Sequence, residues 1–330
     1  MPTPRRTFLA AGAAAFGAAA LRPARSLAAS GTTRSVSVRF NWTMKGEFTP
    51  FVVAREKGFY RDAGIDAQLN PGTSGTQAAT SVAVGHDDFA VIPSVQLIEG
   101  ITNDQMPLRA VATVGNATGM CWGAPANVAL TGPRSLEGRR VAISQSSTFF
   151  QIWDAFAKKF GVDQGKVEVV SADPSARIGM LLGGRVDVIA DLFVANEVPL
   201  LQTRLKSKLN VWRLAQVDFD PLGYLVVASS AALQRDPGLV KAFTAATLRG
   251  MAYTAQHPDD AAALVARAND NLPAQVYHGQ VAALVGLMNM RPAPGKNEPA
   301  AWTRSLEILH SAGLIPHALD HDAYYTNAFV

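Results

Sequence analysis

One succession of elements occurs twice in this chain, and it restricts the fold more than any other feature. An apolar strand at residues 36–40 is followed by a polar loop, a helix, a strand at 65–69, a helix at 76–84 and a buried strand at 89–94. The order returns with a strand at 141–143, a hydroxyl-rich loop, a helix, a strand at 166–170, a helix at 174–182 and a strand at 186–190. In both copies the turn into the last strand reads Gly-x-x-Asp, as Gly85-His86-Asp87-Asp88 and Gly184-Arg185-Val186-Asp187, 99 residues apart. Alternating strands and helices specify an α/β fold, and a repeat of this length is far beyond a solenoid period. The pattern predicts two similar α/β lobes, each with polar residues at its strand ends.

In the first copy, Asn41 and Trp42 stand at the carboxyl end of the first strand, where open α/β sheets bind ligands. Trp42 is either a cleft wall or a core aromatic under the next helix, and its place at a strand end favours the cleft. Glu47 is either a ligand contact or a solvated loop acid. Thr49 suits an N-cap and Pro50 the first helical position, with Phe48 and Val53 placed as a hydrophobic staple. In that helix Val52, Val53 and Ala54 pack, while Arg55, Glu56 and Lys57 face solvent. Gly58 and Gly64 end two helical pieces. The turn-rich loop at 70–77 leads into a helix whose first residues, Ser74, Gly75 and Thr76, offer N–H groups to a bound oxygen, or else form a plain capped loop. Ser94 is the polar end of the third strand. His86 reads as a solvated cap.

Residues 115–132, rich in Gly, Ala and Pro, separate the copies. The second has Ser146, Ser147 and Thr148 in its first loop and Asp191 at a strand end, followed by Phe193 and Glu197. Phe149, Ile152, Trp153, Phe156 and Phe160 share one helical face and read as core. A strand at 211–217, a turn at 218–224 and a strand at 225–228 suggest a return crossing. The remainder is helical, at 237–257, 258–269, 273–287 and 299–312, with a Pro/Gly loop at 291–297 placed to cover a cleft mouth.

Residues 1–30 read as a removable export leader: the twin arginines Arg5 and Arg6, a small apolar run, and Ser26-Leu27-Ala28 as a cleavage site. The alternative is an amphipathic helix or membrane anchor, but the run is short for a span. The leader holds four of the 30 basic residues and none of the 26 acidic ones, so the rest balances at 26 and 26. No basic stripe remains to suggest nucleic acid. At 48% hydrophobic and 17% charged, 330 residues can bury the cores of two domains. The single cysteine, Cys121, excludes an intrachain disulfide and a thiolate metal cluster, and reads as a small buried hydrophobe.

The chain resembles the periplasmic solute-binding proteins of ABC transporters, and among them the NMT1/THI5-like group that binds thiamine-precursor pyrimidine, riboflavin, sulfonate, taurine or nitrate. Four stretches carry the resemblance: Phe40-Asn41-Trp42 with the run from Phe51 to Asp66; Pro71-Gly72-Thr73-Ser74-Gly75; Gly85-His86-Asp87-Asp88-Phe89-Ala90-Val91; and Ser135-Leu136-Glu137-Gly138-Arg139-Arg140-Val141 with the later Gly184 and Asp187. It covers about residues 35–315. It implies a type II-like two-lobed α/β binding protein with two inter-lobe crossings and a C-terminal helical segment. The expected division is 31–118 with 222–330 for lobe 1 and 119–221 for lobe 2, crossing near 115–126 and 218–224. It further implies a periplasmic monomer without cofactor or metal, which closes on a small molecule by a hinge motion and presents itself to membrane permease subunits.

For the ligand, the resemblance implies a flat heterocycle, a thiamine-precursor pyrimidine or flavin-like ring. Asn41 and Trp42 match the pair that stacks on such rings. Asp191 and Glu197 occupy the acidic positions, and Phe193 or Tyr224 a second aromatic wall. The expected site is Asn41, Trp42, Glu47, Ser74, Gly75, Thr76, Ser94, Ser146, Ser147, Thr148, Asp191, Phe193, Glu197 and Tyr224. A sulfonate, nitrate or aromatic carboxylate held at helix N-termini is the alternative, with Lys45 and Arg177 as the nameable cations. A pyrimidine-synthase-like enzyme is a remoter one: the cysteine-rich motif of those relatives is missing, and no catalytic triad or metal spacing is visible. The chain is therefore read as a binder and not an enzyme. An interaction module is a third class, favoured only by an apolar, empty cleft.

Overall fold

A computed structural model describes residues 33–205 and 208–330. The expected leader lies outside the described residues. The strands are β1 (Arg34–Phe40), β2 (Ile65–Asn70), β3 (Phe89–Pro93), β4 (Leu108–Thr113), β5 (Met120–Pro125), β6 (Arg140–Ile143), β7 (Glu168–Ser171), β8 (Val188–Phe193), β9 (Leu209–Arg213) and β10 (Tyr224–Ser229). The helices are α1 (Thr49–Glu56), α2 (Phe59–Asp62), α3 (Gly75–Ala83), α4 (Ser94–Thr102), α5 (Thr148–Phe160), α6 (Arg177–Leu182), α7 (Glu197–Arg204), α8 (Ser230–Arg235), α9 (Pro237–Gln256), α10 (Pro258–Ala268), α11 (Ala274–Val285), α12 (Pro299–Ser311) and α13 (His321–Tyr324).

Two five-stranded sheets result, ordered β2-β1-β3-β10-β4 and β7-β6-β8-β5-β9. In each, the first three strands are parallel and the fourth runs antiparallel to its neighbours. The antiparallel strand is in both cases the one that enters directly after a crossing between sheets. The repeated Gly-x-x-Asp is a strand clamp. Gly85 (φ +79°) and Gly184 (φ +66°) take the left-handed conformation that an ordinary side chain disfavours. The aspartate that follows grips the strand that opens its own copy of the repeat. Asp88 accepts from Ser37 N (2.8 Å) and donates its own N–H to Ser37 O (3.1 Å). Asp187 does the same with Arg140, at 2.9 and 2.8 Å.

Both cores are aromatic. In the first lobe the Phe243 ring stacks on Phe89 (4.0 Å) and Tyr60 (5.1 Å). In the second, Trp122 meets Phe156 edge-on (5.5 Å) and Trp212 at 4.2 Å. The apolar face of α5 is buried at Phe149, Ile152, Trp153 and Phe156, and Cys121 is fully buried in β5.

Several local expectations are corrected. Residues 115–132 contain β5, an interior strand of the second sheet; its small residues Gly123 and Ala124 hide the apolar pattern. The expected strand at 211–217 is β9 followed by a 3-10 turn (Leu214–Val217). Thr49 does not cap α1: a 3-10 turn (Gly46–Phe48) runs straight into the helix, and the Thr49 hydroxyl donates back to Gly46 O (2.6 Å). The 291–297 loop lies along the outer edge of β4. Thr113 N donates to Gly295 O and the Thr113 hydroxyl to Asn297 Oδ1, both at 2.8 Å, which satisfies an otherwise open sheet edge.

Between β4 and β5 the chain leaves the first sheet, and between β9 and β10 it returns. The two crossings lie side by side. Gly223 N donates to Gly115 O (3.0 Å), and Thr118 N to Pro221 O (3.1 Å). The buried Asp220 carboxylate accepts from the N–H groups of Thr118 (3.1 Å) and Gly119 (3.2 Å) and from the Thr118 hydroxyl. Ser94 serves this hinge. It opens α4, is fully buried, and its hydroxyl donates to Leu222 O (2.6 Å). The Ser94 hydroxyl proton and backbone N–H, which donates to Gly223 O (3.1 Å), are thus both engaged within the hinge. A Cβ on Gly223 would stand 2.3 Å from Ala117 O. Gly223→Ala is therefore expected to destabilise by about 1–3 kcal/mol, as overpacking does, read as a lower midpoint in urea with an unchanged slope. A wild-type midpoint would show that the crossings are loosely packed.

Candidate functional site

At the end of β1, Asn41 N donates to Val91 O (3.1 Å), which keeps the strand in register. The Asn41 Oδ1 atom is buried without a partner. Trp42, 40% exposed, is not a core residue. Its carbonyl accepts from Gly72 N (3.2 Å), so the loops after β1 and β2 are joined. The 3-10 turn that follows directs Glu47 inward, because Phe48 is anchored on Phe40 (4.4 Å between rings) and Tyr224 (5.5 Å). Glu47 is only 5% exposed, which rules out a solvated loop acid. Its pKa is pushed up to about 7 by burial; Lys45 opposes this, the facing Glu197 adds to it, and a hydrogen bond from Tyr224 opposes it. The Tyr224 hydroxyl lies beside both Glu47 and Asn41, and burial holds its pKa well above the ordinary tyrosine value.

On the second sheet, Asp191 in β8 is 1% exposed. One oxygen accepts from Ser144 N (2.9 Å) and from Arg177 Nη1 (2.5 Å). Arg177, at the start of α6 and 3% exposed, also donates from Nη2 to Glu197 Oε1 (2.9 Å). The second Glu197 oxygen accepts from Phe193 N (3.1 Å), which closes the turn into α7. Burial raises the Asp191 pKa while Arg177 lowers it, with the Ser144 N–H and Ser147 hydroxyl also favouring the carboxylate. Asp191 Oδ1 and Arg177 Nε are buried without partners.

Across the lobes, Glu47 and Tyr224 lie near enough to Glu197 for its charge to act on both, while Asp191, Arg177 and Glu197 form one cluster on the second sheet. Phe193, expected as a wall, is half-buried, with part of its side chain packed against the apolar core. Ser74 caps α3 by accepting from Gln77 N (3.1 Å), with Gly75 buried and Thr76 exposed in the first turn. Ser147 caps α5 in the same way (3.1 Å to Phe150 N); Ser146 shares a hydrogen bond with the Ser144 hydroxyl (3.0 Å), and Thr148 opens the helix. The Arg177 guanidinium emerges as the centre of the acidic side rather than a free cation. Gln280, absent from the expected site, lies buried against it; the signal was an amide on the otherwise apolar face of α11.

A raised carboxyl pKa stabilises the fold when protonated. The Glu47 contribution is complete below its ordinary value of 4.5 and disappears as pH rises through about 7. The neutral isostere Glu47→Gln should therefore gain stability relative to wild type between pH 5 and pH 8, by up to ~3 kcal/mol. Denaturant midpoints across this range test it, and parallel pH profiles would contradict the burial of this carboxyl.

Residues 45–261, well over half of the chain, match the family described as NMT1/THI5 like. The riboflavin-binding protein RibY of Chloroflexus aurantiacus is 25% identical over 311 residues, covering 91% of this chain and 87% of that protein. The periplasmic aliphatic sulphonate binding protein SsuA from Escherichia coli aligns with a TM-score of 0.69 at 14% identity, over 88% of this chain and 91% of its own. The desulfurization enzyme DszB aligns at 0.61 and 15% identity, over 89% of this chain and 97% of its own. Proteins of different activity therefore share the architecture, and the likeness to them is one of fold. By the extent of the family match, this chain belongs to the NMT1/THI5-like family and has the two-lobed α/β fold of periplasmic binding proteins.

Proposed function

We propose that this protein is the solute-binding component of an ABC importer, and that its cleft takes a flat heterocycle bearing hydrogen-bond donors. The observation that carries this reading is the charge state of the cleft. Its buried guanidinium, Arg177, is engaged by two carboxylates, and Glu47, with its pKa pushed up to about 7, adds a further carboxyl on the other lobe. An anion entering here would meet a surplus of acid with its counter-charge already neutralised. The acceptors without partners, Asn41 Oδ1 and Asp191 Oδ1, call for N–H groups, and Arg177 Nε calls for an acceptor. An aminopyrimidine or an imide-bearing ring such as a flavin offers both kinds of group on one edge. Trp42, exposed at the rim, supplies a face for stacking. The RibY relative, a riboflavin-binding protein, is consistent with this class.

Binding rather than turnover is the proposed activity. The Cys121 thiol is buried and its pKa held well above the ordinary value by burial, so a thiolate nucleophile is disfavoured. Work as a periplasmic monomer handing its ligand to permease subunits belongs to the same reading. So does export by the leader: Arg5→Lys with Arg6→Lys should leave precursor in the cytoplasm, and undiminished export would remove the twin-arginine route. Among the described residues no helix is long and apolar enough to cross a membrane.

A thermal-shift screen of the protein against riboflavin, the aminopyrimidine precursor of thiamine, aliphatic sulfonates and nitrate tests the ligand class. A ligand at one hundred times its Kd stabilises by about 2.7 kcal/mol. Shifts are expected from the heterocycles, with affinity reduced roughly tenfold, about 1.4 kcal/mol, in Trp42→Ala. Shifts confined to sulfonates and untouched by that change would move the site to the helix N-termini at Ser74 and Ser147.

A further inference from the structure

α11 packs with α10 and α9 in the first lobe, yet it also lies directly on the second. A Cβ on Gly279 would stand 2.8 Å from Pro199 Cβ in α7, and Leu287, just beyond α11, fills the space beside Gly119 and Val194. Between these contacts lies Gln280, 1% exposed. Its Oε1 accepts from Gly46 N (3.0 Å), and its Nε2 donates to Asn196 O (3.0 Å). Gly46 directly precedes Glu47, and Asn196 directly precedes Glu197. One side chain thus joins the backbones that present the two facing carboxylates, one from each lobe.

We propose that Gln280 is a third tie between the lobes, separate from the two hinge crossings, that fastens the closed cleft and positions Glu47 and Glu197 against each other. The amide suits the task because it has a donor and an acceptor on one rigid group, and both face backbone atoms whose partners are buried with it. When the lobes separate, at least one of the two bonds breaks, and a buried N–H or C=O must find water instead. The tie therefore acts only in the closed form and shifts the open–closed equilibrium by its differential contribution to that state. Its position between α11 and both lobes makes the C-terminal segment a participant in closure rather than a support behind the first sheet.

Gly46 has the matching constraint. A Cβ there would stand 2.5 Å from Gln280 Cβ and 2.7 Å from Oε1. Gly46→Ala thus pushes the tie apart from the lobe 1 side, while Gln280→Met removes both hydrogen bonds at nearly constant volume. Thr80 on α3 and Asp154 on α5 are exposed and lie one in each lobe, and Cys121 is buried. Spin labels at Thr80→Cys and Asp154→Cys therefore report the interlobe distance by pulsed electron resonance in the ligand-free protein. Wild type is expected to show one short, narrow distance. Gln280→Met and Gly46→Ala are each expected to shift it to a longer, broader distribution, with helical circular dichroism unchanged. Unshifted distributions in both variants would overturn the tie, as would a wild type already at the long distance. Loss of helicity in both would assign Gln280 to folding instead of closure. The consequence for ligand affinity rests on the solute-binding reading, but the interlobe distance needs no ligand, so either can fail without the other.

Discussion

The two chain crossings, clasped by Asp220, are the constraint on which the rest depends. Asp220 joins the outgoing strand connection to the returning one through three hydrogen bonds, and Ser94 joins the returning one to α4. A buried carboxylate is costly unless its lone pairs are satisfied, and here backbone N–H groups satisfy it. Burial nevertheless raises the Asp220 pKa to about 6, with the Thr118 and Gly119 hydrogen bonds opposing. The arrangement fixes where the sheets meet, and so which strand ends face each other.

Across that gap the chemistry is governed by charge compensation. Removing a guanidinium from water costs several kcal/mol even after relaxation. Arg177 is tolerated because Asp191 and Glu197 flank it in short hydrogen-bonded pairs. Those acids in turn surround the remaining side of the cleft with negative charge, and Glu47, with a pKa near 7, sits opposite. Paired buried charge of this kind is weak evidence for stability and better evidence for specificity. On the proposed reading, it makes donors on a ligand favourable and anions unfavourable.

Much of this was legible from residue order. The two Gly-x-x-Asp turns revealed the pair of lobes because left-handed glycine and a strand-clamping aspartate are local demands. The helices beginning at Pro237, Pro258 and Pro299 were legible because proline is favoured where the first N–H has no partner. β5 was not, because Gly123, small where Leu192 of β8 presses close, and Ala124 lose the apolar alternation. Thr49 misled because a 3-10 turn and a cap leave the same residue types at a helix start. Ser94 was placed at a strand end, but the register put its hydroxyl under the hinge.

Sequence alone determined the α/β class and the doubling, and it put polar residues at the strand ends, since these follow from periodicity and turn chemistry. Tertiary structure decided which of them are joined. Whether Glu47 is solvated, whether Arg177 is free, and whether an amide on α11 touches both lobes depend on neighbours 20 to more than 200 residues away in the chain. Burial and pairing are set by those neighbours, and no local pattern encodes them.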